Sequence, residues 1–181
     1  NDVAVQIPIR PKTKFITGYS VQAITIDQSQ RVWLYIQDRG LCEYKDGIVH
    51  IVNSEIKDAN VLEVDNNGYI WVGTNSGLYK YSIAKNAVVQ QFKEEDGQLN
   101  SNYVSSLCFD HKGDLWIGSE GGGVAIMNIG REMFNYIVPG EGPEKLSSES
   151  VSALKMDREN RMWIGTLKGG VNIMDIQRSR F

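Results

Sequence analysis

The sequence predicts an all-β protein, specifically a β-propeller, on three observations. Four repeats share one register, each repeat carries one tryptophan, and apolar residues alternate with period two, as in strands. The tryptophans are Trp33, Trp71, Trp116 and Trp163, separated by 38, 45 and 47 residues. Each lies six residues after an aspartate: Asp27, Asp65, Asp110 and Asp157. Four antiparallel strands in a repeat of roughly 40–45 residues are typical of a propeller blade.

Each repeat is predicted to contain four strands, A to D. Apolar residues one and three positions before each aspartate indicate strand A. The aspartate begins a tight turn, because its carboxylate can bond its own backbone two residues on, and Gly68, Gly113 or Asn160 tolerates a left-handed conformation. Strand B carries the tryptophan. A glycine turn leads into strand C, at Gly40-Leu41, Gly77-Leu78, Gly123-Val124 and Gly170-Val171. Strand D is expected at 48–52, 87–92 and 134–138.

The predicted boundaries describe one propeller domain of four blades. They are 1–19 for an N-terminal strand or linker, 20–58 for blade one, 59–101 for blade two, 102–148 for blade three and 149–181 for blade four. The fourth repeat ends where its strand D would begin, so we expect part of a larger propeller, for example one of seven blades. Two alternatives are self-association of half-propellers and a four-bladed ring, in which residues 3–10 would supply the outer strand of blade four.

Glycines on strand B predict close packing between blades. Gly73, Gly118 and Gly165 stand two residues after three of the tryptophans, and we expect each to leave room for a large ring on the neighbouring blade. Blade one departs from the pattern, with Tyr35 in the glycine position and Gln30 in the turn. This departure predicts a different neighbour for blade one, such as the N-terminal segment.

Composition excludes several classes of protein. The 181 residues carry a net charge of −3, which leaves no surplus cations for binding nucleic acid. Apolar runs are only a few residues long, so no membrane span is predicted, and no signal-peptide pattern opens the chain. Two cysteines exclude a disulfide scaffold, and Cys42 and Cys108 are expected to be buried thiols on strand C of blade one and strand A of blade three.

The repeated residues are interpreted as structural. A tryptophan present in every blade is expected in the core, although its ring could also stack on a sugar. The aspartates are expected to form turns and not calcium sites, because the twelfth position from Asp65 is Ser76 and not a glutamate. His50 and His111 have no partner at a ligand-like spacing. We therefore predict no catalytic residues, no metal and no cofactor.

Residues that differ between blades are the candidates for binding. The B–C turns and the D–A loops of a propeller share one face, and these segments are polar here. The predicted ligand-binding residues are Asp38, Arg39, Asn75, Glu120 and Lys168. Arg39 and Lys168 would suit an anionic sugar. The alternative is that these are ordinary solvated loops.

Three of the repeats also resemble a known family. The segments "DNNGYIWVGTNSGLYKY", "DHKGDLWIGSEGGGVAIM" and "DRENRMWIGTLKGGVNIM" are similar to two-component regulator propeller repeats, and "DQSQRVWLYIQDRGLCEY" is similar more loosely. The resemblance implies a periplasmic sensor domain of a hybrid two-component histidine kinase in the inner membrane. Such a domain would detect oligosaccharides to control glycan-utilisation genes.

The resemblance also sets the expected partners and the alternatives. The partners would be an oligosaccharide or other small ligand, the kinase module of the parent chain, and further blades or a second copy, with no nucleic acid. The fragment itself is not expected to be an enzyme. The alternatives are an enzyme of the streptogramin-lyase type and a protein-interaction scaffold. A lyase needs a catalytic histidine beside metal-holding acids, which two unpaired histidines supply poorly.

Overall fold

A computed structural model describes residues 10–11, 20–142 and 145–176, which form β-sheets without a helix. The described part therefore holds no helix that could span a membrane. Blade one contains β2 (Val21–Ile26), β3 (Val32–Ile36), β4 (Gly40–Lys45) and β5 (Ile48–Asn53). A two-residue strand, β1 (Arg10–Pro11), pairs in parallel with β5.

The other three sheets follow in chain order and are antiparallel. Blade two contains β6 (Ala59–Val64), β7 (Tyr69–Thr74), β8 (Gly77–Ser82) and β9 (Ala87–Phe92). Blade three contains β10 (Val104–Phe109), β11 (Leu115–Ser119), β12 (Gly123–Asn128) and β13 (Met133–Ile137). Blade four contains three described strands, β14 (Val151–Met156), β15 (Arg161–Thr166) and β16 (Gly170–Asp175). The all-β propeller architecture is confirmed.

One expectation about the N-terminus is not met at its described end. Residues 3–10 were expected beside blade four in a four-bladed ring, and residues 3–9 lie outside the described part. Arg10, however, pairs with Ile48 on the outer strand of blade one. Arg10 therefore lies at the outer edge of blade one, whereas the four-bladed ring would have required it at the outer edge of blade four.

The spacing of aspartate and tryptophan has a hydrogen-bonding cause. In blade two, Asp65 Oδ1 accepts the backbone N–H groups of Asn67 and Tyr69 at 2.8 and 2.9 Å, which closes the turn as predicted. Its Oδ2 accepts the indole N–H of Trp71 at 3.1 Å. The other three blades repeat this arrangement. One carboxylate thus accepts three hydrogen bonds, and one of them comes from the indole N–H, the polar group of the tryptophan side chain.

The blades stack face to face, and the tryptophan of each points towards the next blade. Trp33 packs with residues of blade two, Trp71 with blade three and Trp116 with blade four, and all three rings are buried. All four tryptophans were expected in the core, and these contacts confirm that expectation for three of them. Trp163 differs, because no described blade follows it and its ring is exposed.

The residue opposite Gly73 and Gly118 is a valine, and not the large ring that we expected. A Cβ on Gly73 would lie 2.5 Å from Val104 Cγ1. Val104 begins strand A of blade three, and strand A is the inner strand of each blade. A Cβ on Gly118 would lie 2.6 Å from Val151 Cγ1 in blade four. The first residue of each inner strand therefore fits against the glycine of the preceding blade, and any side chain there would overpack the interface.

Tyr35 fills the same interface between blades one and two, which corrects the expectation of a different neighbour. Its buried ring clusters with Ala59 and Leu62 of blade two. Burial raises the pKa of the Tyr35 hydroxyl, while the backbone of Ala59 and Asp58 lowers it. Ala59 occupies the position of the valines in later blades, so the large and small residues have exchanged sides.

Candidate ligand-binding face

All four inner strands carry a β-bulge at the same place. The pairing of strands A and B shifts register after the first residue of strand A, so the second residue is unpaired. The bulged residues are Gln22, Asn60, Ser105 and Ser152. A bulge re-aims a side chain and ends regular pairing, and bulges are frequent beside functional sites. Here they place polar side chains at one end of the inner strands.

The B–C turns begin beside these bulges. The first residue of each turn donates its backbone N–H to the carbonyl oxygen of the residue immediately before strand A. The donors and acceptors are Gln37 and Ser20, Asn75 and Asp58, Glu120 and Tyr103, and Leu167 and Ser150, at 2.8 to 3.2 Å. The B–C turns and the D–A loops therefore share one face, as predicted.

A cleft of about 220 Å³ opens on this face, between blades two, three and four. It is lined by Asn60, Tyr103, Ser105, Glu120, Val151, Ser152 and Leu167. Tyr103 and Leu167 are exposed and provide an aromatic ring and an aliphatic side chain. Glu120 is the one charged residue in the lining. A partly apolar cleft with a few convergent polar groups is typical of a small-ligand site.

The polar residues of the cleft divide into two groups. Asn60 Nδ2 donates to Asn75 Oδ1 at 2.8 Å and to the carbonyl oxygen of Val104 at 3.0 Å. Ser105 Oγ lies within hydrogen-bonding distance of the carbonyl oxygens of Gly118 and Val151. These side chains therefore also link neighbouring blades.

The second group can bind a ligand. Within the described part of the chain, the Tyr103 hydroxyl and the Glu120 carboxylate have no hydrogen-bond partner. Both side chains are exposed in the cleft, so both can hydrogen-bond a ligand without losing an internal contact.

A larger cleft of about 320 Å³ lies at the other ends of the inner strands, between the A–B turns of blades two and three. Its acidic groups include Asp65 and Asp110. Both carboxylates already accept an indole N–H and two backbone N–H groups. Two of its three acidic side chains therefore hold the turns, and burial raises the pKa of the third, Glu63. The smaller cleft, where Tyr103 and Glu120 are exposed and unengaged, is taken as the candidate binding site.

One of the five predicted binding residues, Glu120, lines the cleft. Asn75 does not line it, but its Oδ1 accepts a hydrogen bond from Asn60, which does. Asp38, Arg39 and Lys168 lie in B–C turns on the same face but do not line the cleft. Asp38 and Lys168 have positive φ values of 62° and 68°, so they occupy the left-handed corners of their turns.

Sequence reasoning missed Asn60, Tyr103, Ser105 and Ser152. Three of them are the bulged second residues of strand A, a position that is polar in every blade. An alignment of the four repeats on their aspartates shows that this position is polar in each of them. A bulge is not visible in alternation alone, however, because the unpaired residue reads as an ordinary strand residue.

The remaining candidate groups lie elsewhere. His50 is on β5, at the outer side of blade one, and His111 lines the larger cleft. Cys42 and Cys108 are free thiols on β4 and β10, the strands that were predicted, but only Cys42 is buried as expected and Cys108 is half-buried. Burial raises the pKa of Cys42 to about 11, against the opposing charge of Arg39, so this thiol is unreactive.

Comparison with known proteins supports the repeat assignment. A family model described as "Two component regulator propeller" matches residues 98–121 and 145–168. These segments include the B strands of blades three and four, so two of the four repeats are similar to two-component regulator propeller repeats, which confirms the predicted resemblance. No curated protein matches the chain.

Solved structures share the propeller fold. The extracellular domain of the putative hybrid two component system BT3049 from B. thetaiotaomicron is 24% identical over 88% of this chain, with a TM-score of 0.74. The WD40 β-propeller domain of Doa1 is 16% identical over 85% of the chain, with a TM-score of 0.68. A virginiamycin B lyase from Staphylococcus aureus is 14% identical over 87%, with a TM-score of 0.64. The chain spans 22% of the BT3049 domain, 50% of the Doa1 domain and 56% of the lyase.

Proposed function

We propose that this chain is part of a periplasmic sensor propeller, and that it binds a neutral oligosaccharide in the cleft between blades two, three and four. The cleft carries the proposal, because it combines the unengaged polar groups of Tyr103 and Glu120 with an aromatic ring. A sugar presents hydroxyl donors and an apolar ring face, which match a carboxylate and an aromatic side chain.

The charge of the cleft favours a neutral ligand over an anionic one. Glu120 would repel a uronate or sulfate, and the cations Arg39 and Lys168 do not line the cleft. The oligosaccharide is proposed to be bound without being converted. The two-component regulator propeller repeats, and the likeness to an extracellular domain of a hybrid system, support a role in sensing. In the parent chain, binding would regulate a histidine kinase and thereby genes for glycan use.

Calorimetric titration with a panel of neutral and uronic-acid-containing oligosaccharides tests this proposal. We expect a neutral member to bind, and Glu120→Gln and Tyr103→Ala each to weaken binding by roughly tenfold or more. The first loses a hydrogen bond to a charged group, which contributes about 1.5–3 kcal/mol, and the second loses a hydroxyl together with the aromatic ring. His111→Ala is the matched control, because it changes an exposed residue at the opposite cleft.

Two results would reject the neutral-ligand site. One is binding of uronic-acid oligosaccharides that Arg39→Ala and Lys168→Ala weaken while Glu120→Gln does not. That result would place the ligand on the outer parts of the B–C turns. The other is a failure of every oligosaccharide in the panel to bind.

A further inference from the structure

The larger cleft, between the A–B turns of blades two and three, has features of a second binding site. Grooves of about 170 and 210 Å³ occupy the same place between blades one and two and between blades three and four. The cleft between blades two and three is larger than either, at about 320 Å³. Each of its two blades also has a described blade on its other side, so the walls of the cleft are part of the stacked core.

Glu63 distinguishes this cleft from the two grooves. It lies two residues before the turn aspartate, where the other blades have Thr25, Cys108 and Lys155. Glu63 pairs in register with Trp71, so both side chains stand on the face of blade two that is turned towards blade three. Neither Thr25 nor Cys108 lines the groove beside its blade. Among the described blades, only blade two therefore directs a carboxyl group into such a space from this position.

The carboxyl group of Glu63 has no internal partner. Within the described part of the chain it makes no hydrogen bond and no ion pair, although the side chain is half-buried. Its oxygens are still accessible, because Ser106 Oγ is the one enclosed side-chain oxygen or nitrogen without a partner among the described residues. Burial raises the pKa of Glu63, against the opposing charge of Lys155. An ammonium group brought by a ligand would favour the ionised carboxylate and offset the cost of its burial.

The groove between blades one and two, in contrast, receives a cation from the chain itself. Arg31 lines that groove and pairs with Asp27 at 2.7 Å. Tyr69 and Asp114 occupy the position of Arg31 in blades two and three, so the turn aspartates of the larger cleft lack this ion pair. Lys112 is the one lysine or arginine in the cleft lining, and it makes no ion pair within the described residues. The cleft therefore keeps a negative charge that attracts cations.

Apolar side chains complete the lining of the cleft. Val64, Phe109 and Ile129 are half-buried there and belong to blades two and three. The volume of the cleft lies at the small end of the range for small-ligand pockets, which is roughly 300–1,000 Å³. A molecule that joins an ammonium group to a small apolar body would thus contact a carboxylate and an apolar wall in one cleft.

We propose that the larger cleft binds a small primary amine with an apolar body, and that the ammonium group pairs with the Glu63 carboxylate. The cleft lies at the ends of the inner strands opposite to the proposed oligosaccharide site, and the two sites are independent. A hydrogen bond between two charged groups is among the strong ones, and the half-buried carboxylate is less hydrated than an exposed one.

Titration with 2-phenylethylamine, followed by amide chemical shifts, tests this proposal. This amine is a cation at pH 7, and 2-phenylethanol has nearly the same shape without the charge. We expect the amine to bind at least about tenfold more tightly than the alcohol, with shifts concentrated at Glu63, Phe109 and His111. Glu63→Gln should weaken amine binding at least about tenfold. Glu159→Gln is the matched control, because Glu159 is an exposed glutamate in the A–B turn of blade four, and it should leave the affinity unchanged.

The stability of Glu63→Gln is a second readout. The substitution removes no internal hydrogen bond or ion pair, so the melting temperature should not fall. A clear fall would overturn the proposal, because Glu63 would then have a partner within the protein. Failure of the amine to bind, or equal affinity for the alcohol, would overturn it too. Amine binding that Glu120→Gln weakens and Glu63→Gln does not would place the amine in the smaller cleft and equally reject the site at Glu63.

Discussion

At the scale of single residues, the aspartate at the start of each A–B turn organises its blade. Its carboxylate holds the turn and fixes the indole ring of a core tryptophan six residues later. Burial raises the pKa of Asp27, but hydrogen bonds from Arg31 and Trp33 outweigh burial and lower it overall. The turn role was predictable, because aspartate bonds its own backbone locally. The indole contact was not, since it depends on how strand B folds back over the turn.

Replacing Asp65 by asparagine tests this role. The amide cannot accept from both the indole N–H of Trp71 and the backbone, so one buried donor loses its partner. We expect a loss of about 1–3 kcal/mol in the free energy of unfolding, measured by urea denaturation. Asp157→Asn makes the same change in blade four, where Trp163 is exposed; it also removes an ion pair with Arg161, which is partly exposed and contributes little. Its loss should be smaller, and equal losses in the two variants would show that indole burial does not set the cost.

At the scale of strands and blades, neighbouring blades are fitted by one pair of positions. Glycine on strand B meets valine on strand A of the next blade, whereas at the first interface the larger residue, Tyr35, is on strand B and the small one, Ala59, is on strand A. The repeated glycine on strand B predicted that a side chain of the neighbouring blade lies against it. It did not identify the partner, because the two positions are more than 30 residues apart and each reads as an ordinary strand residue.

Gly73→Val is expected to destabilise the protein by about 1–3 kcal/mol, because the new side chain would collide with Val104 and Val61. Gly165→Val is the control. Its nearest neighbour, Ala153 Cβ, would be 3.4 Å from the new Cβ, so the cost should stay within about 0.5 kcal/mol. Thermal melting followed by circular dichroism distinguishes the two. A similar cost at both positions would mean that contact with the following blade is not the source of strain.

At the scale of the whole molecule, the repeated residues build the fold and the unrepeated ones form the candidate site. The aspartate and the tryptophan that blade two has as Asp65 and Trp71 recur in every blade. The number of blades, the order of the strands and the core were therefore predictable from the sequence. The cleft was only partly predictable. Glu120, which lines the cleft, and Asn75, which bonds the lining residue Asn60, follow strand B in their blades and were predicted for that reason. Asn60 and Tyr103 reach the cleft through a bulge and a D–A loop, whose geometry depends on contacts between blades.

The central claim is that the face formed by the B–C turns and D–A loops binds oligosaccharides. Amide chemical-shift mapping of the 20.3 kDa chain, titrated with a neutral oligosaccharide, tests it most directly. Shifts concentrated at Asn60, Asn75, Tyr103, Glu120 and Ser152 are predicted, with the opposite turns at Asn66 and His111 unchanged. Shifts concentrated at those opposite turns, or a spectrum that no oligosaccharide perturbs, would contradict the claim.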